Sequence, residues 1–170
     1  MRLTSVGAEQ IDEASLSIRV RNERDVDEIV GWVPDAAALY LFSGLRLTWP
    51  LTASQLQGMV AIEGLAPSVV VTSSGELVGH FDLTVDGQVA RLGRVIVKPA
   101  LRGRGLAGVI VDLAVAEAQR FGADIVRLTV ISTNEPAVRA YRRAGFAPVA
   151  GDPGRGDVTA MERAVITPSL

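Results

Sequence analysis

Lys98-Pro99-Ala100-Leu101-Arg102-Gly103-Arg104-Gly105-Leu106-Ala107-Gly108 places two arginines and three glycines between two apolar stretches. Val95-Ile96-Val97 before it reads as a strand, and Leu106 to Phe121 after it reads as a long apolar helix. Pro99 cannot continue a ladder, so the strand stops there. The helix then opens among glycines, which let the backbone come close to a ligand. Free N–H groups at a helix N-terminus attract an anion, and arginine adds a charge that does not titrate. The stretch therefore reads as an anion-binding turn between a strand and a helix.

Working outward, Ile125 to Val130 is a continuous apolar strand after Phe121-Gly122. A strand, a helix and a strand in this order imply a right-handed crossover and a parallel pair. Asn134 and Glu135-Pro136 open a further helix that ends at Gly145-Phe146, and Ala147–Ala150 with Asp157–Ala164 suit a last hairpin. Upstream, Val69–Val71, Leu77–Val85 and Gln88–Val97 form an antiparallel meander with the Asp86-Gly87 hairpin turn. Before it lie three short helices: one capped by Asn22, one over Ala36–Phe42, and one from the Thr52/Gln55 capping box to Glu63. Leu16 to Arg21 alternates as a first strand. The expected organisation is a flexible leader over 1–17, one domain over 18–166 and a tail over 167–170.

The chain has 170 residues, a formal net charge of −2 and no cysteine. That excludes thiolate metal sites, disulfides and a cysteine nucleophile, and no metal site is expected. The charge gives no global pull toward nucleic acid. No run is long enough to span a membrane and no signal peptide is evident, so the expectation is a cytoplasmic protein without a membrane partner.

Gly103-Arg104-Gly105-Leu106-Ala107-Gly108 also spells the dinucleotide fingerprint G-x-G-x-x-G. Three features oppose that reading. Five residues separate the strand from the first glycine, the next strand ends at Val130-Ile131-Ser132 without an acid, and the preceding strands form a meander. A P-loop fails because no Gly-Lys-Ser/Thr is present.

Arg102-Gly103-Arg104-Gly105-Leu106-Ala107 instead resembles the acetyl-CoA loop R/Q-x-x-G-x-G/A of the GNAT superfamily of N-acetyltransferases. Asn134, Ala137, Tyr141 and Gly145-Phe146 resemble its second segment, N-x-x-A-x-x-x-Y-x-x-x-G-F. The resemblance covers about Ser17 to Ala164. It implies an α/β (α+β) fold. The sheet is mixed, mostly antiparallel and twisted, with six to seven strands and flanking helices. It is splayed between the strand 88–97 and the strand 125–130.

The resemblance also implies the activity, acetyl transfer from acetyl-CoA to a primary amine of a small molecule or peptide, directly in a ternary complex. Arg102, Gly103, Arg104, Gly105, Leu106 and Ala107 would hold the pyrophosphate. Val95, Ile96 and Val97 would pair with pantetheine, and Asn134, Ala137 and Arg143 would touch the coenzyme. Tyr141 would act as general acid toward the leaving thiolate. The glutamate that many members carry on the strand before the loop is absent from Gln88–Val97. His80, Asp82 and Glu63 are the base candidates, with a water chain as the alternative. Trp32, Tyr40, Phe42 and Trp49 either line a pocket or fill a core. A non-catalytic acyl-CoA-binding module and an NAD-type enzyme stay open as alternatives, as does a homodimer.

Overall fold

The computed structural model describes residues 10–63, 66–151 and 153–165, with the side chains of Ile62 and Glu63 outside that description. The elements run β1 (Ser17–Val20), α1 (Glu23–Gly31), α2 (Ala36–Ser43), α3 (Ala53–Glu63), β2 (Ala66–Val71), β3 (Leu77–Asp86) and β4 (Val89–Val97). There follow α4 (Leu106–Arg120), β5 (Ile125–Ile131), α5 (Glu135–Arg143), β6 (Ala147–Pro148) and β7 (Val158–Ala164). The seven strands form one sheet in the order β1-β2-β3-β4-β5-β7-β6. Only β4 and β5 pair in parallel.

Strand alternation gives the sheet two covered faces. Val70, Phe81, Leu83, Ala90, Leu92, Val126 and Leu128 pack against Leu106, Ile110, Val111 and Ala114 of α4. Val69, Val71 and Leu77 pack on the other face against Ile29, Leu39, Phe42 and Leu56 of α1–α3. The buried α4 positions recur every three or four residues, so one stripe of the helix meets the sheet. Ile110 is fully buried, which is worth about 1.5–3 kcal/mol by transfer arguments.

Local signals in the sequence have mixed outcomes. The Asn22 cap forms in full: its side chain accepts from Asp25 N–H at 3.0 Å, and Asp25 accepts from Asn22 N–H at 2.7 Å. The Thr52/Gln55 box closes on one side only. Gln55 N–H donates to Thr52, but the Gln55 side chain turns to Thr48 N–H and Pro50 C=O, because those loop groups lack other partners. Of the leader expected over 1–17, residues 1–9 lie outside the described residues. A capped turn spans Glu13–Ser15, Leu16 is buried, and Ile11 packs on the α4-side core. The tail 167–170 lies outside the described residues.

What positions the site is the parting of β4 from β5. The two strands pair from Val89–Ile125 to Leu92–Leu128 and no further. Beyond that point β4 pairs only with β3, while β5 continues on β7. An irregularity in the β3–β4 register and a positive φ of 46° at Arg94 bend β4 where the strands separate.

Candidate active site

The glycine turn has the geometry of an anion cradle. Gly103 (φ 79°) and Gly105 (φ 77°) both sit in the left-handed region, where a Cβ would strain the backbone. Gly105 is the N-cap of α4 and offers no side-chain acceptor to the first N–H groups of the helix. No acid occupies the first turn of α4. Residues 102–105 are exposed, and the guanidinium of Arg102 donates back to Val97 C=O at 3.3 Å. Loop and β4 are thereby tied together.

The gap supplies backbone groups beside this cradle. Lys98 N–H donates to Val78 C=O on β3, so by alternation the peptide groups of Val97 and Val95 face away from β3, into the gap. Ile96 differs from the expectation. It stands opposite His80, which turns its peptide to β3, and its side chain packs with the α1–α3 core. It is therefore placed to support the sheet rather than a ligand in the gap.

On the far side of the gap, Asn134 caps α5 by accepting from Ala137 N–H at 3.4 Å, which leaves its amide NH2 without a protein partner among the described residues. Ala137, Val138 and Tyr141 share the inner face of α5 and pack against the α4-side core, as Val95, Val97 and Leu101 also do. Tyr141 meets Phe146 edge-on, with ring centroids 5.9 Å apart. Its hydroxyl makes no hydrogen bond among the described residues. Burial pushes the phenol well above its ordinary pKa, which keeps the proton on oxygen. Arg142 and Arg143 are exposed on the last turn of α5, and Arg139 pairs with Glu135 at 3.6 Å.

The base candidates meet a different fate. His80 is fully buried, with Nδ1 at 2.9 Å from Arg94 C=O and Nε2 at 3.0 Å from Arg21 Nη1. A carbonyl only accepts and a guanidinium only donates, so Nδ1 carries the proton and Nε2 accepts. Burial lowers the imidazole pKa and holds it neutral, against the pull of Asp82. Asp82 is buried and takes the Arg94 Nε–H at 2.5 Å on Oδ2. Its Oδ1 finds no hydrogen bond, because His80 Nε2, 3.5 Å away, has no proton to give. His80 and Asp82 lie on one side of the strand as expected, yet they serve a buried polar knot rather than an open base. The side chain of Glu63 lies outside the described residues.

A groove of about 800 Å³ runs along the sheet face opposite α4. Its lining comes from the end of α2 and the following loop, from β3, β4, β5 and β7, and from the loop between β6 and β7. It reaches the gap, since Gly93, Arg94 and Thr129 line it. Five arginines face it (Arg46, Arg91, Arg94, Arg127 and Arg155) against two acids, Asp82 and Glu162. Tyr40 O–H donates to Asp157 at 2.7 Å, joining α2 to the β6–β7 loop, and Arg155 Nε donates to the other oxygen at 3.1 Å. These bonds depress the Asp157 carboxyl to about 2. Trp32 and Phe42 are core residues, and Trp49 is exposed. Sequence reasoning missed the groove arginines. Their grouping depends on strand register, which no local pattern carries across a parallel pair.

The uncapped, glycine-led start of α4 thus lies beside a parallel strand pair that opens after Leu92–Leu128. Residues 48–146 match the family described as Acetyltransferase (GNAT) family, and the chain belongs to that family. Streptothricin acetyltransferase of Streptomyces lavendulae is 36% identical over 81 residues, 46% of this chain and 43% of that protein. The matched stretches span less than half the length of the curated relatives. Among solved structures, spermidine N-acetyltransferase from Vibrio cholerae has a TM-score of 0.71 at 18% identity, covering 89% of this chain and 96% of its own. AAC(6')-Ib has a TM-score of 0.72 at 19% identity, covering 88% and 93%. At these identities the solved structures speak to the fold. Among the described residues, no helix is long and apolar enough to cross a membrane.

Proposed function

We propose that the chain transfers the acetyl group of acetyl-CoA directly to a primary amine, with both bound at once. One observation carries this reading. The β4–β5 gap meets the glycine cradle at one end and the groove at its side. A coenzyme anchored by pyrophosphate at Gly103–Ala107 would run its pantetheine along Val97 and Val95, and Asn134 would add an amide donor. Its thioester would then meet an acceptor entering from the groove. Family membership supports the same chemistry, and related folds have been solved with CoA and spermine and with Coenzyme A and Ribostamycin.

The amine nitrogen attacks the thioester carbon, the C–S bond breaks, and the electron pair leaves on sulfur. A gap-facing N–H of Val95 or Val97 stabilises the developing oxyanion from a fixed position. Tyr141 donates its proton to the sulfur as negative charge builds there, and the proton that the nitrogen sheds on becoming an amide restores the phenol by way of water. An alkyl ammonium has a pKa near that of lysine, about 10.4, so the acceptor sheds a proton before it attacks. With His80 and Asp82 engaged in the knot, that proton leaves to water in the groove.

The test is release of CoA thiol and formation of an acetylated product on incubation with acetyl-CoA and an amine panel. A second reading, an acyl-CoA-binding module without turnover, draws on the same locked state of His80 and Asp82. Saturable CoA binding with no product on any amine would favour it. Thermal stabilisation by NAD and not by CoA would overturn both, since a ligand stabilises only the state that binds it.

A further inference from the structure

The floor of the groove holds two arginines in register on neighbouring strands. Arg91 of β4 and Arg127 of β5 are Cα partners in the parallel pair, one position before the last pair. Neighbouring strands lie about 4.8 Å apart, and like charges placed side by side on a sheet repel. Thr84 of β3 stands opposite Arg91, and Glu162 of β7 stands opposite Arg127. All four residues line the groove. The row therefore reads threonine, arginine, arginine, glutamate, with one acid for two cations.

Glu162 is committed to Arg127 Nε at 2.6 Å. Asp82, the other acid of the lining, is committed to Arg94. Arg91 is exposed and makes no ion pair among the described residues. The lining thus carries more guanidinium than carboxylate, and neither carboxylate is open to a ligand: Glu162 is held by Arg127, and the bare Oδ1 of Asp82 is buried. A polycation entering here would meet arginine and no open acid. An anionic group would meet a guanidinium fork suited to carboxylate or phosphate.

We infer that the acceptor is an amine that also carries an anionic group, a carboxylate or a phosphate, bound at Arg91. The inference rests on the acetyl-transfer reading and names the substrate class for that site. Arg91 precedes Val95 by four residues, about 13 Å along a strand before the bend is allowed for. The reach of the arginine side chain shortens that span. An anion roughly five bonds from the nitrogen, at ~1.5 Å per bond, bridges what is left.

The experiment compares four amines of matched length: 5-aminopentanoate, 4-aminobutyl phosphate, 5-aminopentanamide and 1,5-diaminopentane. It measures kcat/KM by thiol release, and binding to the CoA-loaded protein by calorimetry. The carboxylate or phosphate member should exceed the diamine by about tenfold or more, the worth of one charge-assisted contact. Which of the two anions leads separates the carboxylate source from the phosphate source. R91E should reverse the ranking of anion and diamine, a ratio that partial unfolding leaves unchanged. A diamine equal to or better than both anions overturns the inference and leaves acetyl transfer standing. So does absence of binding by all four amines to protein that binds CoA. Failure to bind CoA at all overturns the transferase reading instead.

Discussion

The two halves of the candidate site are built from different material. The coenzyme half is backbone: a glycine turn, the first N–H groups of α4, and two peptide groups left facing the gap where β4 leaves β5. The acceptor half is side chain: a groove walled by the end of α2, four strands and two loops, with arginines on its floor. A backbone device holds a constant ligand with few residue requirements, and those it has are glycines and small residues at fixed spacing. A side-chain surface sets a selective ligand and can be rebuilt without disturbing the sheet. On this division, changes to the coenzyme half should alter every reaction of the protein, whereas changes to the groove should alter only which amine reacts.

Tyr141 is the largest test of that division, since it is a side chain within the backbone half. Tyr141→Phe keeps the ring against Phe146 and removes only the hydroxyl, which has no protein partner among the described residues. Turnover should fall about 10²- to 10³-fold, the usual worth of a positioned general acid. Affinity for CoA should stay within about twofold, because binding is assigned to backbone. Single-turnover kinetics with titrated CoA measure both. An equal loss in every amine substrate supports the division, and an unchanged rate removes the phenol from the mechanism.

The knot beneath the groove should respond as structure and not as catalyst. His80→Ala would strip Arg21 and the Arg94 carbonyl of their buried partner and open a cavity. It should cost about 2–3 kcal/mol in urea unfolding. The native imidazole is held neutral because burial lowers its pKa below the unfolded value of about 6.5. Its contribution is therefore complete above that value and is lost as pH falls toward the lower, folded pKa, as the unfolded chain takes up a proton the native one refuses. Stability of the wild type should drop on acidification through this range, and the drop should be smaller in His80→Ala. A kcat/KM profile with a step on the acid side of the ordinary imidazole value that vanishes in the variant would return His80 to the role of base.

The cradle gives a smaller effect with a cleaner readout. Gly105→Val forces a β-branched residue into a left-handed conformation at the helix N-cap, a strain of about 1–2 kcal/mol. The strain should appear as roughly tenfold weaker CoA binding by calorimetry, with the relative preference among amines unchanged. A shift in amine preference would show that the two halves are not separable at this turn.

The same division explains what the sequence made legible. Arg102 to Ala107 and Asn134 to Phe146 are contiguous, so their chemistry can be read along the chain. The meander, the crossover and the order of the helices follow from hydrophobic period and turn residues. Arg91 and Arg127 are 36 positions apart and become neighbours only through parallel register, which has no local code. Tyr40 and Asp157 likewise meet only in the folded chain, where α2 comes beside the β6–β7 loop. The period of two puts His80 and Asp82 on one side of a strand, but it says which face and not whether water reaches it. Arg21, just past β1, and Arg94, at the bend of β4, decide that.

Tyr40 offers the smallest effect and the most local one. Its hydroxyl bond to Asp157 ties α2 to the β6–β7 loop, both of which border the groove. The carboxyl is held down to about 2 by Arg155 first and Tyr40 second, so the tie is complete above the ordinary carboxylate range and is lost only as pH falls toward that value. Tyr40→Phe should therefore raise the KM for the amine by about two- to threefold, as expected of one exposed contact. Across about pH 5 to 9 the effect should be constant, because neither partner titrates there. The KM for acetyl-CoA should not move, since the tie borders the groove and leaves the cradle untouched. A matched rise in both KM values would mean that the loop carries strain from one half to the other, and that the acceptor surface is less independent of the coenzyme slot than their separate construction implies.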